Sequence, residues 1–217
     1  GDVERSRFAM AKVGILEFDN LDEELDEITK KIDIVLDEIK RPGEDRYFFF
    51  SEQLEENLLL DERIENELRR AIRNGSSEEF YLEYQPQVDL RTKKIVGLEA
   101  LARWNNDELG QVSPYKFIDV AEKSHLIIPL GDWLLNTACK FIKKLEDIGI
   151  NDMKVAVNIS VIQLLQEGFI KDLMEKIKGV GINIENLELE ITETSIMSNY
   201  EAVNHKLDIL RSKGISI

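Results

Sequence analysis

The sequence predicts an α/β fold with parallel strands, and three observations carry that prediction. From residue 80 onward, short apolar runs alternate with longer helical stretches, the pattern of strands joined by crossover helices. Within the helical stretches apolar residues recur at spacings of three and four. An apolar content of 43% over 217 residues is enough for one sizeable core, or for one domain plus a fragment.

The elements follow in order. "FAMAKVGIL" reads as a strand. The acidic segment over 19–40 reads as an amphipathic helix with Leu21, Leu25, Ile28, Ile32, Val35, Leu36 and Ile39 on one face, ending at Pro42–Gly43. "RYFFF" is a short aromatic strand. The charged stretch from Ser51 to Gly75 is a long helix that could lead into a second unit. "FYLEYQPQVDL" and "KIVGLEALARW" are strands separated only by "RTKK". So short a link holds no crossover helix, so the two should be antiparallel neighbours. Ser113–Pro114 looks like an N-cap followed by proline at the first helical position, opening "SPYKFIDVAEKSHL". A second helix spans about Pro129 to Glu146. "MKVAVNIS" is a buried strand, and Ser160 with Gln163 forms a capping-box pattern for the helix after it. "LELEIT" is a further strand, 200–213 a further helix, and "GISI" the start of another strand.

Composition excludes several classes. The formal net charge of −15 and pI near 4.7 repel nucleic acid and anionic membrane, so no nucleic-acid polymer is expected as partner. A small anionic ligand stays open if metals or local arginines recruit it. The single cysteine, Cys139, sits among Leu134, Leu135, Ala138 and Ile142 and reads as a core thiol, in keeping with a reducing cytoplasm. No apolar run reaches the roughly 18 residues of a membrane span, and the residues shown begin without the features of a signal peptide. His125 and His205 are isolated in helix-like segments and read as surface or core residues. The acidic segment over 19–40 reads as a solvated face.

Oxygen-bearing residues gather at the ends of three strands: Glu99 and Arg103 in "VGLEALARW", Asn158, and Glu190 with Glu193. Side chains of a strand alternate, so Glu99, Leu101 and Arg103 share one face. A carboxylate and a guanidinium in an apolar strand are costly unless paired, hydrogen-bonded or bound to something. Two carboxylates and an amide oxygen, with no histidine or cysteine nearby, suit hard divalent cations such as Mg²⁺ or Mn²⁺. Arg103 suits a phosphate oxygen. Metal plus phosphate points to phosphoester hydrolysis by metal-activated water. Spacing alone leaves the alternatives open: Glu99 and Arg103 as a mutual ion pair, Asn158 as a turn cap, Glu190 on a solvated face.

"GLEALARW" resembles the signature of the EAL family of cyclic-di-GMP phosphodiesterases. "LEYQPQVDL" with Tyr84, Gln85 and Pro86 is similar to that family's first strand. "VAVNIS" is similar to its N-x-S strand and "LELEITETSIM" to its E-x-T-E segment. "SPYKFIDVAEKSHLIIPLGDWLL" matches its connecting helices. The resemblance covers about 62–217, with four motifs in order. It implies a modified (β/α)8 TIM-like barrel whose first strand runs antiparallel, with only the first half in this chain. It implies a two-metal site for Mg²⁺ or Mn²⁺, a hydroxide nucleophile, and hydrolysis of cyclic-di-GMP to linear pGpG in bacterial second-messenger signalling. Carried over by motif, Glu99, Asn158 and Glu190 are metal ligands and Arg103 holds a phosphate. Gln85 and Leu101 contact substrate, and Glu193 positions a loop near the metals, so that Glu99 and Glu193 count as catalytic.

Residues 1–50 resemble the tail of a GGDEF diguanylate cyclase domain, with "ERSRFAM" where that family has "GGDEFA". Ser6 and Arg7 stand at its acidic positions, so the segment reads as a partial, degenerate module without a cyclase site. The expected organisation is 1–50 GGDEF-like, 51–79 linker helix and start of the EAL domain, and 80–217 the first half of the barrel. The family continues past the position of Ile217 with further site residues, so a longer native protein is expected. Three functions compete: a phosphodiesterase, a catalytically inactive cyclic-di-GMP-binding or regulatory protein, and a scaffold that binds no nucleotide. A homodimer is a further expectation, as is a location in the cytoplasm, or at the cytoplasmic face of a membrane if segments upstream anchor the protein.

Overall fold

The computed structural model describes residues 11–17, 24–40, 46–75, 79–191 and 200–217. Two compact units divide the chain between Arg63 and Ile64, inside the predicted long helix. In the first unit β1 (Val13–Ile15) pairs in parallel with β2 (Tyr47–Phe49), and α1 (Leu25–Lys40) makes the crossover. The three-and-four spacing turns one face of α1 inward. Asp26 and Glu27 in its first turn and Lys40 in its last complement the helix dipole. Ser6 and Arg7 lie outside the described residues.

The long helix α2 (Glu52–Arg73) buries Ile64, Leu68 and Ala71 in the second unit. There β3 (Phe80–Val88) and β4 (Ile95–Asn106) form the antiparallel pair that the short link required, with Phe80 opposite Trp104 and Gln85 opposite Glu99. A third strand, β5 (Gly110–Val112), folds back on the end of β4. Three residues are too few to show a period, which is why the sequence did not announce it. The chain then runs through α3 (Pro114–Lys123), α4 (Ile127–Asp147), β6 (Lys154–Asn158), α5 (Val161–Leu165), α6 (Phe169–Val180), β7 (Leu187–Glu190) and α7 (Tyr200–Ser212).

The main path of the sheet runs β3-β4-β6-β7, with β4, β6 and β7 parallel. The segment "GISI" contributes a single parallel bridge, Ser216 to Glu188. Ser113 takes the N-cap of α3 with proline after it, but its side chain makes no cap hydrogen bond. The Ser160–Gln163 capping box forms as the pattern foretold. His125 is not helical: it occupies the turn between α3 and α4 with a left-handed φ of 58°.

Two apolar clusters hold this unit together. One packs α2, α3 and the start of α4 onto Phe80 and Trp104, whose rings stack at 5.4 Å; such a pair adds about 0.5–1.5 kcal/mol beyond its buried area. The other packs α4, α6 and α7 onto the helix-facing side of β4, β6 and β7. Cys139 lies in it fully buried, and burial pushes its thiol up to about 11. The buried amides Asn106 and Asn186 of this unit are hydrogen-bonded. Trp104 Nε1 donates to Glu79 and Asn106 donates to Glu67 and Glu79, while Arg70 bridges the same two carboxylates. Among the described residues no helix is long and apolar enough to cross a membrane.

Candidate functional site

The two faces of the sheet differ in kind. On the helix-facing side β4 presents Leu98, Ala100 and Trp104, and β6 presents Val155 and Val157, all within the apolar clusters. In-register partners share a face, so the opposite side gathers Gln85 and Glu99, then Asn158 and Glu190. The alternation that buries one half of each strand therefore forces its polar half together.

The Asn158 amide, at the C-terminal end of β6, donates at 2.9 Å to Oε1 of Glu99 in the middle of β4. Asn158 and Glu190 are direct cross-strand partners, and the Ile159 N–H donates to the Glu190 carbonyl at 2.9 Å. The Glu190 carboxyl is raised above its ordinary value, first by burial and then by the negative charges of Glu99 and Glu188, with Gln87 acting in the opposite sense. A second carboxylate is thus held close to the first, at an electrostatic cost that a cation would relieve. Two carboxylates and an amide that can turn its oxygen inward form a hard, all-oxygen donor set, which fits Mg²⁺ or Mn²⁺. No cluster of three or more histidine, cysteine, aspartate or glutamate side chains suited to a metal occurs among the described residues, so this set depends on Asn158.

Arg103 lies two strand positions beyond Leu101 on the same face, with its side chain 21% exposed. Its Nε donates to Glu83 at 2.7 Å and its Nη1 to the Ala102 carbonyl at 2.9 Å. Arg103 and Glu99 therefore do not pair with each other: each has a different partner. Asn158 caps no turn, a task that falls to Ser160, and Glu190 is half-buried rather than on a solvated face. Leu101, Arg103 and Asn158 line a cleft of about 510 Å³ that α3, α4 and α5 wall with Asp119, Leu134 and Gln163.

Of the residues singled out from the sequence, Glu99, Asn158, Glu190 and Gln85 come together, and Leu101 and Arg103 lie on the same face of β4 as Glu99 and also border the cleft. Glu193 lies outside the described residues. Two neighbours were missed: Glu83, which holds Arg103, and Gln87, which faces Glu190. The period of two places 83, 85 and 87 on one face of β3, but not which residue across the sheet each of them meets.

The model of the family described as the EAL domain matches residues 65–217. Over 213 residues the chain is 32% identical to cyclic di-GMP phosphodiesterase NbdA of Pseudomonas aeruginosa, covering 98% of this chain and 27% of that protein. It is 28% identical over 207 residues to the bifunctional diguanylate cyclase/cyclic di-GMP phosphodiesterase MucR of the same organism, covering 95% and 30%. Among solved structures, the EAL enzyme Bd1971 with cAMP and cyclic-di-GMP bound superimposes with a TM-score of 0.66 at 34% identity, over 73% of this chain and 43% of that one. The chain thus spans less than a third of the length of these two curated relatives.

Proposed function

This chain belongs to the EAL domain family, and from that premise we propose that the protein containing it is a metal-dependent phosphodiesterase hydrolysing cyclic-di-GMP to linear pGpG. The observation that carries the proposal is the convergence of Glu99, Asn158 and Glu190 on one face of adjacent parallel strands, with Arg103 further along the same face of β4.

In this reading Glu99, Asn158 and Glu190 hold Mg²⁺ or Mn²⁺, part of a two-metal site. A bound divalent ion supplies Lewis-acid chemistry: it activates water and neutralises the phosphate. Arg103 exchanges part of its contact with Glu83 for a phosphate oxygen. Gln85, in register with Glu99, and Leu101 contact the dinucleotide and fix it over the ligands. Glu193 positions the loop after β7. Water oxygen bonds to phosphorus, the bond from phosphorus to the ribose 3′ oxygen breaks, and that oxygen leaves with a proton, giving the linear product.

Residues 1–50 are proposed to be the end of a degenerate GGDEF-like module. The parallel β1–α1–β2 unit and the alignment with a bifunctional relative over 95% of this chain support that reading. A homodimer and a cytoplasmic location belong to the same proposal and rest on the family resemblance. The full-length protein with Mg²⁺ or Mn²⁺ is expected to convert cyclic-di-GMP to pGpG, followed by chromatography, with turnover abolished in Glu99→Ala and Glu190→Ala. Retained turnover in either variant overturns the ligand assignment. Tight binding without turnover in the unmodified protein moves the reading to a cyclic-di-GMP sensor.

A further inference from the structure

Gln163 is one of three buried polar side chains among the described residues, at 4% exposure. It is the third residue of α5. Its Oε1 accepts from the Ser160 N–H at 3.1 Å, while Ser160 Oγ accepts from the Ile162 N–H at 3.2 Å. The amide rests against Gly131, in the second turn of α4. A Cβ at Gly131 would collide with the Gln163 amide, which could give way only by leaving its bond to Ser160. No positive φ is recorded at Gly131, so its backbone does not call for glycine. Glycine inside a helix costs about 1 kcal/mol against alanine, and the structural return for that cost is the space in which the Gln163 amide lies.

This contact bears directly on the site. Only Ile159 and Ser160 separate Asn158 from α5, and both of their N–H groups are held. Ile159 donates to the carbonyl of Glu190, and Ser160 donates to Gln163. At five residues α5 is too short to persist unaided. Gln163 also lines both the cleft beside Arg103 and a smaller cavity of about 160 Å³ between α4 and α6. Truncating it opens the two spaces to each other and lets water compete for the Ser160 amide.

We infer that Gln163, seated on Gly131, is a positioning residue that fixes the β6–α5 turn and thereby the direction of the Asn158 side chain. The inference rests on the reading of Asn158 as a metal ligand, and the test separates the two. The probe is Mn²⁺ alone, with free ion counted by electron paramagnetic resonance in the full-length protein, alongside hydrogen exchange at the Ser160 amide. Gly131→Ala and Gln163→Ala are each expected to weaken Mn²⁺ binding by about 10–100-fold, the range for residues that orient metal ligands, and to accelerate Ser160 exchange. In the double variant Gly131→Ala should add less than about twofold to Gln163→Ala, because the amide it collides with is gone. Leu68→Ala, a core truncation in α2 that borders neither space, is expected to lower the melting temperature without moving either readout.

Unchanged Ser160 exchange in both variants overturns the inference. So does unchanged Mn²⁺ affinity in both while Asn158→Ala weakens it. Unchanged Mn²⁺ affinity in Asn158→Ala itself overturns the metal-ligand reading instead.

Discussion

Arg103 shows how a single residue can be committed to two partners. Its guanidinium sits on Glu83, whose side chain is 54% exposed, and that pair occupies part of the donor set that a phosphate would use. Partly exposed ion pairs contribute about 0.2–1 kcal/mol. Glu83→Gln is therefore expected to tighten cyclic-di-GMP binding by roughly 1.5–5-fold, and Arg103→Ala to weaken it. Calorimetry with chelator present, so that the ligand is not consumed, reads both. Weaker binding in Glu83→Gln would show that Glu83 aims the guanidinium rather than competing for it. At this scale most of the site was legible, because Glu99, Leu101 and Arg103 alternate onto one face and charge in an apolar strand demands a partner. The identity of each partner was not. Glu83 and Asn158 reach their targets across the sheet, and lateral neighbours depend on strand order and register, which one strand's own sequence does not encode. Gly131 was missed for a similar reason: its close contact comes from α5.

Among the elements, α5 is the one whose stability lies outside itself. Its beginning is held by the capping box. Its end is held by Lys206 of α7, whose ammonium donates to the Leu164 and Gln166 carbonyls at 2.7 Å each. Burial lowers the Lys206 pKa, and the charge of Glu167 opposes that shift. Lys206→Met keeps much of the aliphatic stem and removes both charge-assisted bonds. The expected loss is about 1.5–3 kcal/mol, read as a lower urea midpoint at unchanged slope, with faster amide exchange confined to α5 and its flanks. A midpoint equal to the unmodified protein's would mean that water replaces the ammonium without cost. Helices with long apolar stripes were legible: α1 and α4 follow the three-and-four spacing, and α4 exceeds its expected range only by about a turn at most at either end. The hairpin of β3 and β4 followed from the length of "RTKK". The short return strand β5 was not legible, because it is set by pairing with the end of β4.

At the scale of the whole molecule, the order of strands and helices was legible as α/β, and so was a long helix leading into a second unit, whereas the residue at which one unit gives way to the next was not. The composition of α2 is uniformly charged and amphipathic across Arg63 and Ile64, so no shift in sequence marks the change from the first unit to the second. What does change is burial. In the second unit two clusters of buried apolar residues surround the sheet. In the first, Val35 is the one buried residue among those described, and the sheet is a parallel pair of three-residue strands. A two-stranded sheet with so little core lies at the margin of independent stability, and local opening starts where buried apolar contact is least. Limited trypsin digestion of the native protein, followed by mass spectrometry, should therefore cut first at Lys30, Lys31 or Lys40 of α1. Cleavage within 79–191 should follow only after denaturant is added. First cuts in that range would show that α1 is protected by contacts its burial does not reveal. The same digestion with Mn²⁺ should leave the α1 cuts at their original rate and slow any cleavage near Asn158, since the proposed ligands all belong to the second unit.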